Sequence, residues 1–144
     1  MDRRTLLRVL ATLGVASVSR IAVGAPRFAV IVHPRNSVPG IGPGEIEAIF
    51  TTRRLDWPSG KRIAPFNFPA HTAAREAFDR AALHLDPDEV ARFWIDRRVR
   101  GGHPPPRQVP DAETMLRVVA SLETAVGYVA RGDADASVRV IAEI

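Results

Sequence analysis

The chain has 144 residues, 46% of them hydrophobic and 25% charged. That is enough for one packed core, and it excludes a multidomain machine, a repeat array and wholesale disorder. There is no cysteine, so disulfides, thiolate metal sites, iron–sulfur clusters and a cysteine nucleophile are excluded together. The formal charge of +4 and the pI near 10.8 suggest a polyanion partner until the charges are located. Arg3, Arg4, Arg8 and Arg20 stand against Asp2 alone in residues 1–25, and beyond them sixteen basic residues meet fifteen acidic ones. Every base except Lys61 is arginine, charged to very high pH, which accounts for the pI. A nearly neutral body is not a phosphate-backbone binder, so no nucleic-acid partner is expected.

Residues 1–25 read as a secretory signal: a basic start, a mostly apolar run over residues 9–18, and the small residues Ala22, Gly24 and Ala25 around Val23. The apolar run is too short for a permanent membrane span. Cleavage after Ala25 would put Pro26, which has no amide hydrogen, immediately past the cut, so cleavage after Gly24 stands beside it as an equal alternative. Arg3-Arg4-Thr5-Leu6-Leu7 has the look of a twin-arginine signal, with Asp2 where a small hydroxyl residue is usual, so the Sec and twin-arginine routes both stay open. The mature domain is then residues 26–144, periplasmic or secreted.

Phe28 to Val32 is a continuous apolar, β-branched run closed by His33-Pro34, the pattern of a strand buried on both faces, which points to a parallel sheet. Ile46, Ile49 and Phe50 recur at helical spacing behind Pro43 and predict a short helix ending near Thr51. Trp57-Pro58-Ser59-Gly60 predicts a tight turn, and Lys61 to Phe66 the strand after it. Thr72 caps a predicted helix with apolar face Ala74, Phe78, Ala81, Ala82 and Leu85. Asp86-Pro87-Asp88-Glu89 opens the next with a capping box, and Val90, Phe93 and Trp94 form its core face. Gly101 to Pro106 is a rigid loop. Asp111 caps a helix carrying Met115, Val118, Val119 and Leu122. Ala125 to Val129 and Val138 to Ile141 are the last strands, separated by a turn at Gly132-Asp133. Strands alternating with helices give the expected fold class: a single three-layer-like α/β domain with a mixed, largely parallel sheet.

The order of these signals resembles the solute-binding proteins of phosphate-type ABC importers, which have the type 2 periplasmic-binding fold. The residues that carry the resemblance are Val30 to Pro34, Ile49-Phe50 with Trp57 and Gly60, Pro69 with Thr72 and Arg75 to Phe78, then Trp94 and Val126 to Val129. Such proteins are two-lobed clamshells of more than twice this length, and this chain is similar to their middle and later part. The resemblance implies a short, single-domain version with no counterpart of the segment that supplies the family's first anion-binding loop. The family's second anion loop, roughly Arg-Pro-Asp-Gly-Ser-Gly-Thr before a helix, aligns with Phe68-Pro69-Ala70-His71-Thr72-Ala73-Ala74. The hydroxyl at Thr72 and the helix start survive; Phe68, Ala70 and Ala74 replace gripping side chains. Thr52 stands where the family tends to have glycine.

The resemblance therefore implies a reduced site for phosphate or another small oxyanion at His71, Thr72, Ala73 and Arg75. The residues alone also allow Thr72 to be an ordinary cap and Arg75 a solvated first-turn residue. Arg100, Gly101 and Gly102 give a candidate second anion-facing edge or, equally, a basic helix end suited to the dipole. His33, His71, His84 and His103 share no metal-ligand spacing, so neither a metal nor a cofactor is expected. No nucleophile–base motif is present, and an enzyme is not expected. The alternative to a solute-binding module is a ligand-free interaction module whose partner is an envelope transport or sensing protein.

Overall fold

The computed structural model describes residues 27–144, so the signal expected in residues 1–25 lies outside them. In chain order the elements are β1 (Phe28–Val32), α1 (Pro43–Phe50), β2 (Ala64–Asn67), α2 (Ala73–Phe78) continued by one π-helical turn (Asp79–Leu83), α3 (Pro87–Val99), β3 (Arg107–Gln108), α4 (Ala112–Ser121), β4 (Ala125–Ala130) and β5 (Arg139–Glu143). The strands form one sheet in the order β3-β2-β4-β1-β5. β2 pairs in parallel with β3 and β4, while β1 runs antiparallel to β4 and β5. Four strands thus point one way and β1 the other.

β4 shows why the sheet is covered on both sides. Successive strand residues face opposite ways. Gly127 faces α4, where Met115 and Val119 lie over it. Tyr128 faces the other way, stacked on Phe78 of α2 with ring centroids 3.5 Å apart, and meets Phe50 of α1 edge-on at 5.8 Å. The result is a three-layer α/β/α domain. Phe28 and Phe68 complete the aromatic cluster around Tyr128, at 5.6 and 5.2 Å. The Tyr128 hydroxyl donates to Asn67 Oδ1, which gives the buried phenol its partner. Burial pushes its pKa far above the ordinary tyrosine value.

Several expectations are corrected. β1 is buried at every position, but it is antiparallel to both neighbours: helices on the two faces, and not strand direction, exclude its side chains from water. The strand expected from Lys61 begins only at Ala64, because Arg62 makes an isolated bridge to Asp56 across the Trp57–Gly60 turn. The helix capped by Thr72 ends in a π turn and at His84 in a left-handed conformation, which leaves Ala81 exposed. Leu122, expected on the buried face of α4, lies just past the helix and is 40% exposed. Phe93 and Trp94 are half-buried and not core: of α3 only Val90 is buried, and the rings pack chiefly on each other at 4.9 Å.

Candidate functional site

β2 delivers the chain through Phe68-Pro69 to the start of α2. Thr72 is the cap: its Oγ1 accepts from the Arg75 amide at 3.4 Å and donates to the Pro69 carbonyl at 2.8 Å. Ala73 and Ala74, the first residues of α2, are exposed, and their amides have no carbonyl four residues back inside the helix. His71 precedes them with φ at 67° and an exposed ring 3.9 Å from Glu76.

Arg75 turns the other way. Its guanidinium is buried, donating from Nε to Asp79 Oδ2 at 2.8 Å and from Nη1 to the Phe68 carbonyl at 2.9 Å. One turn of helix brings the cation and the carboxylate onto one face, and both leave solvent together. Burial outweighs the attraction of Arg75 and raises the Asp79 pKa above the usual carboxylate range. Asp79 Oδ1 has no hydrogen-bond partner, and neither has the buried Trp94 Nε1. Arg75, Asp79, Trp94 and His71 line one cavity of about 170 Å³ between α2 and α3, roofed by Pro105 and Pro106.

Arg100, Gly101 and Gly102 do not line this cavity; they finish α3. The amides of Gly101 and Gly102 donate to the carbonyls of Arg98 and Arg97 at 3.1 and 2.8 Å, and Gly101 takes a φ of 74° that glycine adopts without strain. Arg100 pairs with Asp96 at 3.0 Å. The structure therefore groups His71, Thr72, Ala73 and Arg75 along one stretch of chain, and keeps the residues around Gly101 as a helix terminus. Sequence reading missed Asp79 and Trp94. The spacing of Arg75 and Asp79 was a usable signal for the first; nothing local marks an indole left without an acceptor.

No family model and no curated protein matches the chain by sequence. Solved structures match it in fold. An ABC-type phosphate transport receptor from Vibrio cholerae superposes with a TM-score of 0.65 at 18% identity, over 81% of this chain and 46% of that one. The fold is that of part of a phosphate-type substrate-binding protein. A phosphate ABC transporter substrate-binding protein with bound phosphate from Clostridium perfringens gives 0.64 at 18% identity, over 83% and 46%. PstS from Borrelia burgdorferi gives 0.57 at 15%, over 74% and 42%. This chain spans less than half the length of the substrate-binding proteins it matches. At such identities the likeness is one of fold.

Proposed function

We propose that the chain is an exported, solute-binding-like module that holds a small oxyanion such as phosphate weakly at the start of α2. The observation that supports this most is the fold match, which covers most of this chain and falls on proteins named for phosphate transport. The open amides of Ala73 and Ala74 beside Thr72 and His71 are the donors on offer. Arg75 contributes little, because Asp79 already takes its charge. A charge-assisted hydrogen bond is worth about 1.5–3 kcal/mol net. A few of them on an open surface, after the cost of association, leave binding roughly millimolar. Calorimetric titration with phosphate and sulfate tests this: weak, salt-sensitive binding that Thr72→Ala reduces is expected, and submicromolar affinity in the isolated chain overturns the reduced site.

The export half of the reading rests on residues 1–25. Intact mass of protein recovered from the cell envelope should give a start at Ala25 or Pro26. Recovery of the full-length chain from the cytoplasm alone removes the periplasmic or secreted location. Among the described residues no helix is long and apolar enough to cross a membrane.

One observation favours a second reading, the interaction module. α3 presents Ile95 at 64% and Val99 at 81% exposure. No phosphate binding, together with stable capture of an envelope transport protein through α3, would favour it over the solute-binding reading.

A further inference from the structure

α3, the longest helix among the described residues, turns most of its surface to water. Val90 is its single buried residue, and from Ala91 to Pro105 no residue is buried. The side it gives to the domain is marked by Val90, by the buried Nε1 of Trp94 and by Arg97, whose guanidinium donates to the Thr52 carbonyl at 3.5 Å. Ala91, Ile95 and Val99 follow one another a turn apart on another side, and all three are exposed. They form an apolar ridge along the helix.

The charges around this ridge are ordered from end to end. Asp88 and Glu89 stand in the first turn, Arg97 and Arg98 in the last, and Arg100 just beyond it. Arg92 and Asp96, again one turn apart, share one flank of the ridge, and Arg98 lies on the other. Asp96 pairs with Arg100 at 3.0 Å, an exposed contact of the weak kind, and neither Arg92 nor Arg98 has a carboxylate partner among the described residues. A uniformly acidic partner is repelled by the first turn, and an anionic membrane meets the same carboxylates. What fits both ends is a surface with a like ridge and the reverse order of charge. A second α3 laid antiparallel has that order, and its dipole opposes the first.

We infer that two copies of this chain associate through α3, antiparallel about a two-fold axis at Ile95. An isologous contact of this kind sets each residue before Ile95 level with one equally far after it in the second copy. Ala91 then faces Val99 of the second copy, small against large, and the two Ile95 side chains meet. On the shared flank Arg92 comes within about 3 Å, measured along the axis, of the second copy's Asp96. Arg98 of the second copy stays on the far flank, away from Arg92. A helix of 13 residues is about 20 Å long and offers less than the roughly 800 Å² per partner of a stable complex. The dimer is therefore weak, with a Kd on the order of 0.1 mM, and the dilute chain is monomeric with α3 bare. The inference rests on the exposed α3 face that the interaction reading also uses, names this chain itself as what covers it, and is independent of the oxyanion site.

Sedimentation equilibrium of the full chain from about 10 μM to about 1 mM tests it. The chain should pass from monomer to dimer across that range. Ile95→Arg should stay monomeric throughout, with an unchanged melting temperature at the lowest concentration, because position 95 is exposed. Arg92→Asp and Asp96→Arg each set like charges together across the dimer and should weaken it several-fold. Mixed in equal amounts, the two variants restore both opposite-charge pairs, and association should return toward the level of the unaltered chain. A chain that is monomeric at the highest concentration overturns the proposal. So does association that Ile95→Arg leaves intact, or a mixture that associates no better than its parts. Binding to phosphatidylglycerol vesicles that Ile95→Arg abolishes, by a chain that stays monomeric, assigns the face to a membrane instead. Capture of an envelope transport protein through α3 by a chain that stays monomeric upholds the interaction reading and overturns this one; dimerisation without capture does the reverse.

Discussion

Helix α4 turns Met115 and Val119 into the sheet until neither is exposed, whereas α3, three residues longer, buries Val90 alone and leaves Ile95 and Val99 in solvent. Both start the same way. Asp86 Oδ1 accepts from the Glu89 amide and Asp111 Oδ1 from the Thr114 amide, each at 2.8 Å, so local capping does not separate them. What separates them is what lies underneath. α4 rests on Gly127 of β4, where a missing side chain lets the helix come close. Beneath α3 lie the Arg75–Asp79 pair and a cavity of about 170 Å³. A capped helix forms on its own instructions, but it is buried only where the surface opposite fits it.

The comparison can be broken from either side. The largest effect is expected at Arg75→Met, which strands the Asp79 carboxylate under α3 and should cost about 4 kcal/mol at neutral pH in denaturant unfolding. The pH dependence has a definite sign. Burial already raises the Asp79 pKa, so its protonated form suits the fold: the contribution is full below the unfolded value and is lost as pH rises through the folded one. Removing Arg75, which holds that pKa down, widens the window. The penalty of Arg75→Met should therefore shrink as pH falls toward 4, and a pH-independent penalty would show that Asp79 stays charged in the variant.

Met115→Ala comes next and should cost about 3 kcal/mol, because the seam between α4 and β4 is closed and a void there cannot fill with water. Gly127→Ala probes the same seam by overpacking. A methyl group at 127 falls inside contact distance of Met115 Sδ and 3.4 Å from Val119 Cγ2, so about 2 kcal/mol should be lost. Combining it with Met115→Ala should recover part of the loss, and strict additivity would show that the two residues do not meet. The smallest effect is expected on α3: Ile95→Gln should change stability by less than about 0.5 kcal/mol. A larger loss would mean that α3 is covered in solution, for instance by a partner.

Much of this arrangement was legible in particular residues. Thr72, Asp86 and Asp111 each cap the helix expected of them, Pro43 opens α1 and Thr51 ends it. The start of α2 could be found as a candidate oxyanion site because a cap and the helix it opens are local. The direction of Arg75 could not. Whether a first-turn arginine reaches into solvent or folds under its own helix depends on the Phe68 carbonyl and on α3, both set by tertiary packing. The same holds for Thr52: the family resemblance marked a glycine-like place, but its left-handed φ and its buried, unpartnered hydroxyl belong to the folded chain.

The sequence by itself determined the helices, since caps, prolines and apolar spacing act within a few residues, and the location of β1, since five consecutive apolar residues find no solvent face. It also determined that the charge excess beyond residue 25 is slight. Tertiary structure alone decided that β1 runs against its neighbours, that Phe93 and Trp94 stay half-exposed, and that Arg75 pairs with Asp79. The physical reason is range. Hydrogen bonds at a helix end are satisfied by neighbours in sequence, whereas strand direction and side-chain burial depend on residues many positions away that meet only once the sheet has formed.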